Sequence, residues 1–275
     1  GFSSEECSTI SESLRRLTNR IVHHEDGLWR KDAEKLDILN SRREKLLSSN
    51  LDSLERVYWL LEDTKRYGTL PFAGLARAGF IAVQMLKSLV SKGVFSQSDY
   101  DSFLAGISTV SGGLALDRST MGKNDFLHKY GHLRPGTYDI LSPRYDKSPE
   151  LYFDWENAPQ APQRSTPFSV TLPQMREVTK LLGSHGLEAN PVGLFDFLEA
   201  GIELREYAKF QFTRNLSDIL ELIADFGEKH EISRVDMAFC DINVFKELYI
   251  SSSSPQEAML LTIEQGKERY QETQS

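Results

Sequence analysis

Charged stretches with apolar residues at steps of three and four open this chain. Ile10, Leu14, Leu17 and Ile21, then Leu36, Leu39, Leu46 and Leu47, then Leu51, Leu54, Val57 and Leu61 keep the 3.6-residue period of amphipathic helices. The spacing predicts helices from about Ser4 to Tyr67, broken at Gly27 and at Ser48-Ser49-Asn50, with Asn50 or Asp52 capping the helix after the second break. A second helical group is expected from Pro71 to about Met121, with Gly93 suited to a C-cap and Ser96 or Ser98 to a fresh start. Asp125 to Tyr130 closes this group as a short helix. Gly74, Gly79 and Gly106 suit close helix contacts.

From Gly131 to about Leu172 the period vanishes, and prolines and aromatics (Tyr138, Tyr145, Tyr152, Phe153, Trp155) scatter without pattern. So long an irregular run is either functional or disordered. Its first half is too aromatic for disorder, whereas Asn157 to Thr166 has the Pro, Gln and Ser content of a mobile linker. Helices resume near Pro173, break at Gly183 and Gly186, and restart behind Asn190-Pro191, a cap followed by a first-turn proline. A long helix is expected over Pro191 to Lys229 and a last one over Pro255 to Tyr270. The fold class is therefore mainly α: a multi-helix domain with one long irregular functional loop and little or no β. The organisation expected is a single helical unit over 1–275, with N-terminal helical groups (1–130), an irregular loop and linker (131–172) and a C-terminal helical part (173–275).

Composition changes this picture little. Hydrophobic residues at 40% and charged ones at 26% are those of an ordinary soluble chain, and a formal charge of -8 argues against nonspecific binding to nucleic acid or anionic membrane. Any anion site must be local. Pro71 to Val90 is the most apolar stretch, but Arg77, Gln84 and Lys87 interrupt it, so it reads as a core helix and not a membrane span. Cys7 and Cys240 lack CxxC spacing and a secretory leader, which favours a reducing, cytoplasmic setting. The start at Gly1-Phe2-Ser3, without an initiator methionine, leads to the expectation of a piece excised from a larger multidomain protein.

Two segments carry candidate chemistry. The first is Tyr130-Gly131-His132-Leu133-Arg134-Pro135-Gly136-Thr137-Tyr138-Asp139 with Ser142-Pro143-Arg144, where rigid turn formers present cations. His132 could act as acid or base, or donate to an anion near neutral pH; it could equally lock the loop to backbone carbonyls. Arg134 and Arg144 can fork onto a phosphate or carboxylate, or pair with Asp139 or Asp146. The second is the Pro191 to Lys229 helix, whose seam of Phe195, Leu198, Ile202, Arg205, Lys209, Phe212, Leu216, Ile219 and Ile223 spans an arc of roughly 120°. Arg205 and Lys209 stand where apolar residues belong. Their partner is a carboxylate such as Glu203, Glu206 or one on another helix, a bound anion, or solvent reached by snorkelling. His23-His24-Glu25-Asp26 holds four possible ligands, but successive helical residues point 100° apart, so no metal site is expected there.

Taken together, these motifs resemble the central helical region of phosphoenolpyruvate-utilising phosphotransferases, the group of phosphoenolpyruvate synthase-like proteins and rifampicin phosphotransferase. Phe126-Leu127-His128-Lys129-Tyr130-Gly131-His132 through Pro135-Gly136, Asp139 and Ser142-Pro143-Arg144 looks like the family's loop. Leu204-Arg205-Glu206-Tyr207-Ala208-Lys209 with Arg214 looks like its arginine-glutamate helix, and Ile232 to Phe239 with Phe245-Lys246-Glu247-Leu248 like the segment that ends the region. The likeness is specific over roughly 120 to 250. It departs where the family has arginine and glycine after the histidine and glutamate after the second glycine; here stand Leu133, Arg134 and Thr137, and the acidic role passes to Asp139.

The resemblance implies an acceptor-binding and scaffolding domain. An ATP-grasp domain with ATP and Mg, and a swivelling phosphohistidine domain, would belong elsewhere in the full-length protein, with no cofactor in this region. His132 and Arg134 would be catalytic; Arg144, Arg205, Lys209, Arg214 and Asp139 would bind a small-molecule acceptor or the phosphoryl group. Neither a nucleotide-binding glycine loop nor a threonine-serine-histidine segment is present, so this region is expected to be catalytically incomplete alone. The alternative is a non-catalytic helical spacer or protein-interaction domain with an internally paired loop.

Overall fold

The computed structural model describes residues 1–157, 168–251 and 253–274. Of the described residues 74% are helical, and none lies in a strand. Its helices are α1 (Ser4–Val22), α2 (Leu28–Leu47), α3 (Ser53–Asp63), α4 (Leu70–Ser91), α5 (Gln97–Gly106), α6 (Val110–Thr120), α7 (Lys123–Tyr130), α8 (Pro149–Tyr152), α9 (Leu172–Ser184), α10 (Pro191–Lys229), α11 (Arg234–Met237), α12 (Val244–Ile250) and α13 (Pro255–Gln274). A π-helical turn, Thr64–Thr69, links α3 to α4. Of the linker expected at 157–166, only Asn157 belongs to the described residues.

Local chemistry sets most boundaries. Helices α1, α3, α5 and α9 each begin with a reciprocal capping box, Ser3 with Glu6, Asp52 with Glu55, Ser96 with Asp99 and Thr171 with Gln174. Asn190 Oδ1 accepts the Gly193 N–H at 2.8 Å ahead of α10. At the end of α4, Gly93 takes φ 72°, and Val94 N–H closes onto Leu89 O at 2.9 Å, satisfying a carbonyl the helix leaves open.

The chain divides into two compact units, each assembled from separate stretches: Gly1–Asp37, Thr69–Leu116 and Ala161–Lys209 in the first, Ile38–Gly68, Asp117–Gln160 and Phe210–Ser275 in the second. Helices α2 and α10 contribute to both. The first unit buries Trp29, Leu36, Leu75, Ala82, Leu86, Phe197 and Leu198, among others. Residues 53–91 hold a window apolar enough to cross a bilayer by composition, and α4 within it places Leu75, Ala78, Ala82, Leu86 and Leu89 in this core. A Cβ at Gly79 would lie 2.9 Å from the Gly201 carbonyl, and the Asp32 carboxylate of α2 covers Gly74, so both are close helix contacts. Gly106 is not: open space surrounds it in the exposed last turn of α5. The second unit packs Val57, Leu60, Ile219, Ile223, Phe245, Leu248 and Met259.

Helix α10 ends with the same closure as α4 but without glycine: Glu231 takes φ 61°, and Ile232 N–H reaches Gly227 O at 2.9 Å. A side chain in the left-handed region is strained, and Glu231 is exposed, so it gains nothing from packing. Glu231→Gly is therefore expected to stabilise the protein by about 0.5–1 kcal/mol, read as a higher urea midpoint at unchanged m-value.

Candidate functional site

The loop that follows α7 is held by its own backbone. Tyr145 N–H donates to Leu133 O at 2.9 Å and Asp146 N–H to Gly131 O at 3.1 Å, so the loop's return limb lies against its start. Between them Asp139 N–H donates to Gly136 O at 2.9 Å, Ser142 Oγ accepts Gly136 N–H at 3.2 Å, and the Asp139 carboxylate accepts Leu141 N–H at 2.8 Å. A Cβ on Gly136 would come within 2.8 Å of that of Asp139, which is why this corner takes glycine. Asp139 is thus a turn-forming residue whose carboxylate faces its own backbone.

This framework buries Arg134, whose side chain is 2% exposed. Nη2 donates to Glu221 Oε1 at 2.8 Å and Ser217 Oγ at 3.1 Å, Nη1 to Ser142 O at 3.1 Å and Asp139 O at 3.3 Å, and Nε to Ser217 Oγ at 3.3 Å. Every nitrogen of the guanidinium is used. Arg144 forks onto Asp146 (2.9 and 2.7 Å) and reaches Asp218 Oδ1 at 2.8 Å, while Arg43 of α2 meets Asp218 Oδ2 at 2.8 Å. Arg234 donates to Glu221 Oε1 at 2.6 Å and to Ile140 O at 2.7 Å. Burial alone would raise the Glu221 carboxyl; hydrogen bonds from Arg234 and Arg134 overcome it and hold the group below the usual carboxylate range.

His132 is 5% exposed and packs edge-on to Phe210, with ring centroids 4.7 Å apart. Burial, then the positive charges of Arg214, Arg144 and Arg43, push its pKa down to about 3 against a hydrogen bond to the Phe210 backbone. The imidazole is therefore neutral, and the expectation of titration near neutrality gives way to that of a buried loop anchor. Its Nε2 has no partner among the described residues. Arg214 lies with its guanidinium 5.4 Å from the Phe210 ring centroid.

The second unit thus brings His132, Arg134, Asp139, Arg144 and Arg214 into one constellation. Arg205 and Lys209 belong to the first unit. Both are exposed; Arg205 lies 5.3 Å over the Phe80 ring, and among the described residues neither has a carboxylate within ion-pair distance. Glu203 and Glu206 are engaged elsewhere, accepting Ser108 N–H at 2.9 Å and Ser111 N–H at 3.4 Å. The internal-carboxylate reading of this pair is not what the fold adopts.

Sequence reasoning missed Arg43, Ser217, Asp218 and Glu221 as members of the constellation. The signal available was the 217, 218, 221 spacing, polar groups one turn apart in a helix otherwise read for its apolar seam. The 23–26 run disperses: His23 Nδ1 pairs with Asp26 at 2.6 Å, and His24 Nδ1 lies 3.9 Å from Asp196. Among the described residues no group of three or more His, Cys, Asp or Glu could hold a metal ion. Both cysteines are free. No family model, curated protein or solved structure matches this chain.

These contacts set two expected outcomes. Arg134→Ala leaves Glu221 short of a buried partner and should cost about 3 kcal/mol, measured by urea unfolding. For His132, the unfolded chain takes up a proton near pH 6.5 and the folded one only near pH 3, so stability is full above pH 6.5 and falls as pH drops. The loss should reach about 2 kcal/mol by pH 5 and be smaller in His132→Gln, in unfolding curves at pH 7 and 5.

Proposed function

We propose that this chain is the acceptor-binding and scaffolding domain of an ATP-dependent, phosphoenolpyruvate synthase-like phosphotransferase, catalytically incomplete alone and cytoplasmic. The observation that carries the reading is the Arg205 and Lys209 pair: two like charges one turn apart on an apolar seam, exposed, with no carboxylate among the described residues to neutralise them. Like charges at this spacing repel by about 0.2–0.5 kcal/mol, a cost that a bound anion would remove. Arg205 also stands in the helix motif on which the family resemblance rests.

In this reading the phosphohistidine and ATP-grasp domains of the full-length protein, with ATP and Mg, supply the phosphoryl group. As its P–N bond breaks and a P–O bond to the acceptor forms, negative charge spreads over the equatorial oxygens, and oriented cations lower the barrier. Arg205 and Lys209 are suited to that role. Arg134 and Arg144, whose donors already face protein groups, brace the loop. In the second unit the buried, neutral imidazole of His132 braces the loop with them.

A second reading, a non-catalytic helical spacer or interaction domain, is favoured by one specific observation: Arg134 and Arg144 both end on protein carboxylates. The two separate in the full-length protein. Under the first, Arg205→Ala with Lys209→Ala lowers phosphoryl transfer at least tenfold, roughly 1.4 kcal/mol of transition-state stabilisation, with the melting temperature kept. Wild-type turnover in the folded double variant would sink it and leave the spacer reading.

A further inference from the structure

We propose a second anion site in the first unit: a cleft of about 340 Å³ formed by the end of α1, the start of α2 and the α9–α10 connection, built to take a small organic oxyanion. The ligand class is a phosphate monoester or a polycarboxylate. The site shares no residue with the phosphotransferase reading, so either can fail alone.

Arg16 and Arg20 stand four apart on one stripe of α1, and His23, the residue that caps the helix, lines the same cleft. Lys31 of α2 lines the same cleft. Arg20 has no ion pair among the described residues, and the nearest acid to Arg16 is Glu12, 3.9 Å away with both side chains exposed, a weak contact in water. The His23 ring is oriented by Asp26, which also lies 3.7 Å from Lys31 Nζ. Three permanent cations therefore face two carboxylates, Asp26 and Glu188, in a chain whose net charge is -8. That local excess of positive charge favours an anion over a cation.

The cleft has a fixed floor. Asn19 is buried, its Nδ2 donating to Gly186 O at 3.1 Å and its Oδ1 accepting Glu188 N–H at 3.2 Å, so the α9–α10 connection is clamped to α1. Glu188 is thereby held at the rim, where it can accept from a hydroxyl of the ligand. The volume is that of a small-molecule pocket. The carbonyl end of α1 opposes an anion with about half a charge, which two forked guanidinium contacts outweigh.

The test is isothermal titration of the intact chain at low salt with inorganic phosphate, glycerol phosphate and citrate. Saturable binding of glycerol phosphate or citrate is expected, weakened at least tenfold by Arg20→Ala and by Lys31→Gln, partly kept by Arg20→Lys, and unchanged by Lys180→Ala, a surface cation outside the cleft. Preference for glycerol phosphate assigns the phosphate class, preference for citrate the carboxylate class. The proposal is overturned if none of the three saturates, or if Lys180→Ala weakens binding as much as Arg20→Ala does.

Discussion

Two carboxylates one turn apart on α10, Asp218 and Glu221, hold four arginines drawn from three other parts of the second unit. Arg43 and Arg144 meet Asp218; Arg134 and Arg234 meet Glu221. A guanidinium with almost no access to water must be paired and fully hydrogen-bonded, or its burial would be prohibitive. Because Arg134 satisfies this condition with Ser217, Glu221 and two loop carbonyls, the loop has one low-energy course over the helix. Its backbone turns, the position of Ile140 in the core and the burial of His132 depend on that pairing.

The same concentration of charge decides the state of the histidine. Three nearby arginines and a desolvated site make protonation unfavourable, so His132 contributes shape and a neutral imidazole where the residue type alone suggests a proton carrier. Helix α10 is equally unusual alongside it. Gln211, Thr213, Asn215 and Ser217 are buried together with Phe210 and Phe212, so this stretch is enclosed around its circumference. Asn215 is 0% exposed, and neither of its amide atoms has a partner among the described residues.

Cations in this protein thus do two kinds of work. Those facing buried carboxylates build the loop, and their donors are committed. Those at Arg205 and Lys209, or at Arg16 and Arg20, are exposed and lightly paired, and their positive charge is available to an incoming anion. Residue identity does not separate the classes; the availability of nearby carboxylates does, as the diversion of Glu203 to Ser108 and Glu206 to Ser111 shows.

Helix periods and caps were determined by the sequence itself. Asp52 over Asn50, Ser96 over Ser98, Asn190 ahead of Pro191 and the length of α10 all arise from interactions within a few residues, which a linear reading contains. The irregular character of the loop and its cationic content were equally legible. The partners of the loop's charges were not. Arg134 meets Glu221 across 87 positions and Arg144 meets Asp218 across 74, and such pairings depend on how helices pack and on which side chains lose water in doing so. Nor could Gly106 be told from Gly79 by residue type: one ends a helix in open space, the other lies against the Gly201 carbonyl. Local propensity is written along the chain, whereas burial and charge partnership exist only once distant segments share a core.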